Sequence, residues 1–592
     1  MRGPPWAGGD KPKELAPTLK KIFTYVGRLK WYIYVGVALS LVSSVLALIG
    51  PQYLMEITNI IERGIGGSMD MDAIVPLCVI LLALYLASLA LSVGEHYIIQ
   101  RASMIIAYKF RKDLIRKVDR LPLGYYDSTS TGDLMSRLTN DTDTVGENFG
   151  QSISMLLTSV TTLIGALVMM LYTNVTLTLF ACIPVFIAFV LMRILIRRSQ
   201  KYFRGLSRGL GAVNGTVEET YYGMDIVRAY NGAPALKERF EVYNHGLLTD
   251  VFMSRFFAGM MPRMMSFFNN LGYVTVCIIG AYLINEEQIG FGVVVAFIVY
   301  VRQFTQPVSQ IADSLSNLQS VGASGERILE ILDAEEMSDE SACEAHLGRS
   351  EGGVEFRDVD FSYIPGREVI HGFSLKVEPG TRVAIVGPTG AGKTTLANLL
   401  MRFYDPDSGE ILIDGVSTRT VTRGEVHDQF SMVLQDSWIF RGTVRENVVY
   451  TTENVTDEKV WEALRAVGID AFVEKLGGLD AVLKDTDTMS AGQKQQISIA
   501  RAMIKDAPMI ILDEATSSVD TRTEARIQKA MDALTHGRTS FIIAHRLTTI
   551  RTADVILVMR DGSVVESGTH ESLLASDGFY AELYRSQFRN CE

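Results

Sequence analysis

Val383-Ala384-Ile385-Val386-Gly387-Pro388-Thr389-Gly390-Ala391-Gly392-Lys393-Thr394 joins four apolar residues to a glycine-rich octapeptide. The apolar run reads as a strand. The octapeptide fits G-x-x-x-x-G-K-[ST], and the stretch Thr395–Met401 reads as the helix that follows. Glycines let backbone N–H groups wrap a polyphosphate, and the helix N-terminus adds a favourable dipole. In this reading Gly387, Pro388, Thr389, Gly390, Ala391, Gly392 and Thr395 line a nucleotide. Lys393 reaches the β- and γ-phosphates and Thr394 holds Mg2+.

Further on, Met509-Ile510-Ile511-Leu512 delivers two carboxylates, Asp513 and Glu514. Asp513 can bind Mg2+ through water, and Glu514 can polarise the water that attacks a γ-phosphate. Alone, such a pair is an ordinary solvated strand end; beside a phosphate loop it gains meaning. Between the two motifs lies Met489-Ser490-Ala491-Gly492-Gln493-Lys494-Gln495-Gln496, with Ser490 as a helix N-cap and a helix continuing over Ile497–Ile504. A small-residue turn opening a helix is a second anion site. One chain cannot easily place two such sites on one γ-phosphate, whereas two chains arranged head to tail can. Apolar runs at Val354–Phe361, Phe373–Val377, Arg382–Val386, Ile411–Ile413, Ser431–Leu434, Met509–Leu512, Ser540–Ile543 and Val555–Met559 read as strands. Alternating with helices, they predict an α/β domain over 354–592.

The N-terminal half has another character. Of 592 residues 48% are hydrophobic, and nearly all long apolar runs lie before about residue 325. They are Trp31–Gly50, Ala73–Gly94, Ser152–Thr173, Val175–Met192 with Asn174 as the turn before it, Met264–Asn285, and a sixth from Ile289 that loses its apolar character at Arg302. Spanning a bilayer takes about 20 helical residues, and core helices rarely come as repeated uncharged runs of this length. Six spans are predicted within 31–325. Lys and Arg crowd the stretches after spans two and four, so both chain ends are expected on the cytoplasmic side. Those two stretches read as helical hairpins with short helices at their tips, near Leu121–Leu134 and Gly223–Gly232. The segment over 1–30 is a polar tail and an amphipathic helix, Leu15–Lys30, expected on the inner membrane surface. The stretch 326–353 reads as a linker, with a charged helix over Glu326–Ala342. The net charge of −11 argues against nucleic acid as a partner. Five cysteines without metal spacing, three of them (Cys78, Cys182 and Cys277) in apolar runs, read as buried free thiols.

These motifs together resemble an ABC half-transporter of the exporter type, one six-helix membrane domain fused to one α/β P-loop ATPase domain. The resemblance covers nearly the whole chain. It implies that Tyr363 stacks on adenine, that Gln435 is the Q-loop residue near Mg2+, and that Ser490, Gly492 and Gln493 close the partner's ATP site. Asp520 falls in the D-loop of Ser518-Val519-Asp520, and His545 matches the switch histidine on the γ-phosphate. Tyr125-Tyr126-Asp127 through Asp141 and Gly223–Tyr230 match the two intracellular loops, whose tips in the family are coupling helices that press into the ATPase domains.

The signature departs from the usual Leu-Ser-Gly-Gly-Gln, and the approach Val482–Thr488 lacks the customary glycine. In heterodimeric exporters one subunit keeps the catalytic Glu and donates a weakened signature. Glu514 and His545 with an altered signature fit that pattern, so the expected partner is a second, different half-transporter chain, with a homodimer as the alternative. The cargo is expected to be a small hydrophobic or amphipathic molecule: a drug, lipid or peptide. The sixth span should line the pathway, with Arg302 and Gln306, together with Gln303 and Gln310, as polar contacts and Arg263 at the inner edge of span five. Uptake of a siderophore-like anionic amphiphile and ATP-gated channel activity remain open uses of the same architecture. The absence of an organelle-targeting segment and the fused half-transporter layout favour a bacterial plasma (inner) membrane.

Overall fold

The computed structural model describes residues 15–588 apart from 66–67, 342, 344, 436, 484–488, 514–520 and 545–549. The chain divides into two compact units. The first comprises residues up to Leu121 and Thr129–Glu335; the second comprises Pro122–Ser128 and everything from Glu336 on.

The first unit is helical. Its elements are α1 (Leu15–Val26), α2 (Lys30–Gly64), α3 (Met71–Val118), then, with α4 (Leu123–Ser128) assigned to the second unit, α5 (Thr131–Ser136), α6 (Thr142–Thr173), α7 (Val175–Tyr222), α8 (Met224–Ala229), α9 (Ala233–Asn285) and α10 (Phe291–Leu332). Six helices among the described residues are long and apolar enough to cross a membrane. Five expected spans are each found inside one of them and the sixth begins at Phe291, two residues later than expected; most of these helices run on past the apolar stretch. In the apolar window of α3 only 6% of residues are buried, and Val79, Leu82, Leu86 and Leu89 are exposed, a pattern that suits a membrane span and not a core helix of a water-soluble domain. Between helices, small residues permit close approach: an added Cβ at Gly165 would stand 2.3 Å from Leu48, and one at Gly280 2.6 Å from Val294. Short polar bonds join neighbours, such as Ser40 with Thr158 at 2.5 Å and Ser43 with Ser88 at 2.9 Å. Asn174 is the turn its position suggested: its side chain accepts from Leu177 N at 2.9 Å and caps α7. Short helices occur at both expected hairpin tips, α4 with α5 and α8.

Part of the apolar face of α1 packs within this unit. Ile22 and Val26 are buried, Ile22 lies against Gly325 of α10, and Thr18 donates to Glu326 at 3.2 Å. Two expectations for this unit are corrected: Cys78 and Cys277 are exposed in the apolar helices and not buried, and Glu326–Ala342 is not one helix, because α10 ends at Leu332. Acidic residues collect beyond that point, where the helix dipole disfavours them. Glu340 instead accepts from Arg423 Nη1 at 2.6 Å and lies 3.7 Å from buried Arg402.

The second unit carries β1 (Val354–Ile364), β2 (Arg367–Val377), β3 (Arg382–Val386), β4 (Ser408–Ile413), β5 (Val416–Ser417), β6 (Phe430–Val433), β7 (Gly442–Thr443), β8 (Val482–Leu483), β9 (Met509–Asp513), β10 (Thr539–Ile543), β11 (Val555–Arg560) and β12 (Ser563–Gly568). An antiparallel sheet runs β2-β1-β4-β5, and a larger sheet runs β12-β11-β3-β10-β9-β6. In the larger sheet all neighbours are parallel except β11 and β12. Val383, Ala384, Ile385 and Val386 are all buried, which explains why β3 reads as an unbroken apolar run. Because β3, β10, β9 and β6 are parallel neighbours, their carboxyl ends share one edge, the usual place for a ligand in such a sheet.

Candidate functional site

The glycine-rich stretch leaves β3 at that edge and enters α11 (Lys393–Leu400). Gly392 caps the helix with φ +96°, a conformation that side chains resist. A Cβ at Gly387 would lie 2.4 Å from the Met559 carbonyl oxygen, whereas one at Gly390 would meet nothing within 4 Å. The loop is therefore packed onto β11 at its root and open at its tip, where Pro388, Thr389 and Gly390 are exposed. Ala391 and Gly392 are buried under it. Lys393 is 8% exposed, and its Nζ donates to the carbonyls of Gly387 at 2.8 Å and Pro388 at 3.0 Å. Burial pushes the ammonium pKa below the ordinary lysine range, and the Asp513 carboxylate partly opposes that shift. A desolvated ammonium on neutral carbonyls gains from an anion at the loop mouth. The open cradle and this buried cation fit a polyphosphate.

Asp513 closes β9, paired in register with Ile543 of β10, and Gln435 follows β6, exposed. Thr394, Gln435 and Asp513 offer oxygen donors with one carboxylate, a set suited to an Mg2+ that keeps waters and phosphate oxygens. Among the described residues no group of three or more His, Cys, Asp or Glu forms a metal cage. Glu514, Asp520 and His545 lie outside the described residues.

Tyr363, 42% exposed, is held by its hydroxyl group. It donates to Thr395 Oγ1 at 3.3 Å and accepts from Asn398 Nδ2 at 3.2 Å. Thr395 thus supports the aromatic ring. Phe361 at 4.9 Å and Tyr404 at 5.0 Å present T-shaped contacts to it. Tyr404 was missed in the sequence, and it also donates its hydroxyl to Asp127 at the hairpin tip. Burial, then the bond to Asp127 and that residue's charge, push the phenol above its ordinary range. The Arg402-Phe403-Tyr404-Asp405 stretch gives no periodic signal of this role; only the tertiary contact reveals it.

Ser490 caps the helix Ala491–Lys505 in a reciprocal box: Gln493 N donates to Ser490 Oγ at 3.2 Å, and Ser490 N donates to Gln493 Oε1 at 2.9 Å. Gly492 is buried and Ser490 exposed. The altered approach 484–488 lies outside the described residues.

In the helical unit Arg302 and Gln306 are exposed one turn apart on α10. Gln303 and Gln310 are not part of that face. Gln303 donates to the Ala47 carbonyl at 3.3 Å and Gln310 accepts from Ser159 at 3.1 Å, so both are used between helices. Arg263 is exposed beside Pro262 on α9.

Two family models match the chain: ABC transporter transmembrane region over residues 33–308 and ABC transporter over residues 370–517. The chain belongs to the ABC transporters. It is 43% identical to a fatty acid ABC transporter ATP-binding/permease protein of Mycobacterium bovis, over 88% of this chain and 83% of that protein. It is 31% identical to the ATP-dependent lipid A-core flippase of Escherichia coli, over 88% and 90%. A solved bacterial Atm1-family ABC exporter with ATP bound superposes with a TM-score of 0.73 at 25% identity, covering 95% of this chain and 99% of that one. This ABC transporter is therefore an exporter-type chain, with membrane and ATP-binding domains fused, in which ATP hydrolysis is coupled to transport.

Proposed function

We propose that this transporter moves an anionic amphiphile of fatty-acid type outward, with both termini cytoplasmic and a second half-transporter chain completing the ATP sites. The observation that carries the cargo reading is the exposed Arg302–Gln306 face of α10. An intramembrane guanidinium that finds no place among its own helices suits a carboxylate ligand in a pathway. The fatty acid relative supports the same chemistry. The altered signature beside an intact Glu514 supports a heterodimer.

At the ATP site Lys393 and the loop amides hold the β- and γ-phosphates, and Tyr363 stacks on adenine. Thr394, Gln435 and Asp513 supply oxygens for Mg2+, whose chemistry there is neutralisation of phosphate charge. Glu514 accepts a proton from water as the water oxygen bonds to the γ-phosphorus and the bond to the β–γ bridging oxygen breaks, giving ADP and phosphate. His545 orients the γ-phosphate. The test is ATPase activity of the assembled transporter in lipid with palmitate added. Several-fold stimulation that Arg302→Gln removes, with the basal rate kept, supports the reading. Equal stimulation in Arg302→Gln refutes it. The chain purified alone should be inactive or fail to dimerise; a vigorous homodimer silenced by Glu514→Gln would overturn the heterodimer.

A further inference from the structure

The chain crosses between its two units at Leu121/Pro122, Ser128/Thr129 and Glu335/Glu336. Shortly after the second crossing come Asp133, Arg137 and Asp141. Shortly before the third come Arg327 and Glu330. All five lie in the helical unit, and they form one alternating network. Arg327 Nη2 meets Asp133 Oδ1 at 2.6 Å and its Nε lies 3.3 Å from Asp141 Oδ2. Arg137 reaches Asp133 Oδ2 and Glu330 Oε2, each at 2.8 Å, and donates to the Arg327 carbonyl at 3.3 Å. Each arginine therefore bridges two carboxylates, and Asp133 is shared between them.

The backbone is adapted to this arrangement. Asp133, Arg137 and Asp141 follow one another at four-residue steps, which drift around a helix of 3.6 residues per turn. A π-helical turn at Arg137–Asp141 widens the winding there and offsets that drift. The side chains of Arg137 and Asp141 are only 13% and 9% exposed, so water and salt screen these pairs less than surface pairs.

We propose that this network is a clamp that makes the returning limb of the first hairpin and the outgoing end of α10 move as one body. Displacement of either crossing during ATP turnover then reaches the α10 face that carries Arg302 and Gln306. Arg327 and Asp133 are positioning residues; neither touches nucleotide or cargo. Arg327 does what a lysine cannot, because a single ammonium does not span two carboxylates in fixed geometry.

The test uses the assembled transporter in lipid nanodiscs, with native cysteines replaced and Ser309→Cys, an exposed α10 position, as reporter. The rate of maleimide labelling at this cysteine is measured with and without ATP plus vanadate. In the parent protein ATP and vanadate change the rate several-fold. In Arg327→Gln the change falls below twofold while KM for ATP stays within twofold of the parent, and Arg327→Lys is intermediate. If Arg327→Gln fails to fold, isosteric Asp133→Asn and Asp141→Asn are read in the same way. A parental labelling response in the substituted proteins overturns the clamp, also where their thermal midpoint falls, since the network is then only structural.

Discussion

Replacing Tyr363 probes the nucleotide site where its chemistry is least ambiguous. The ring is 42% exposed and its orientation is set by Thr395, Asn398, Phe361 and Tyr404. Stacking of a base on an aromatic ring is worth about 1–3 kcal/mol by alanine substitution. Tyr363→Ala should therefore weaken ATP binding by about 5- to 150-fold. Tyr363→Phe keeps the ring and loses two partly exposed neutral hydrogen bonds, together about 1 kcal/mol, or about fivefold. Tyr404→Ala strips one T-shaped contact, about 0.5–1.5 kcal/mol, and should cost no more than about 2- to 13-fold, less than Tyr363→Ala. The assay is titration with a fluorescent ATP analogue in a Glu514→Gln background, with inorganic tripolyphosphate as competitor. Tripolyphosphate should bind equally well to all variants, since it has no base. Unchanged ATP affinity in Tyr363→Ala refutes the stacking assignment. Loss of tripolyphosphate binding would instead show that the loop itself had been damaged.

Other substitutions follow from the same geometry. Gly387→Ala would drive a Cβ into the Met559 carbonyl, which cannot swing aside, so denaturant unfolding should show a loss of about 1–3 kcal/mol together with weakened ATP binding. His427 Nε2 lies 2.9 Å from the Met401 carbonyl, and burial lowers the ring's pKa, with Lys505 and Arg423 adding to the shift and the Met401 bond and Glu340 opposing it. The unfolded chain therefore takes up a proton at higher pH than the folded one. Stability should fall as pH drops through about 6.5 towards the lowered folded value, and His427→Gln should flatten that slope in thermal scans.

The nucleotide domain was legible because parallel strands buried on both faces write themselves as unbroken apolar runs, as Val383–Val386 and Met509–Leu512 do. The spans were legible by the same logic of solvent. The limits of the helices were not. Beyond the apolar stretch an amphipathic helix continues on a pattern that also fits a linker, and the end of α10 at Leu332 carries no glycine or proline to mark it. Tertiary partners decided the remaining cases. Gln303 and Gln306 are equivalent in a polar tally, yet one is bonded to Ala47 and the other is exposed. Ile22 and Val26 form an amphipathic face whether membrane or Gly325 receives them. Tyr404 and Arg327 carry no local signal, because their roles exist only through Asp127 and through Asp133 with Asp141.

The most direct test of the account is ATP-dependent accumulation of radiolabelled palmitate in inside-out proteoliposomes holding the assembled transporter. Accumulation that requires hydrolysable ATP and is abolished by both Lys393→Ala and Glu514→Gln is the expected result. ATP-driven loss of palmitate preloaded in the same vesicles, or accumulation that survives either substitution, would contradict it.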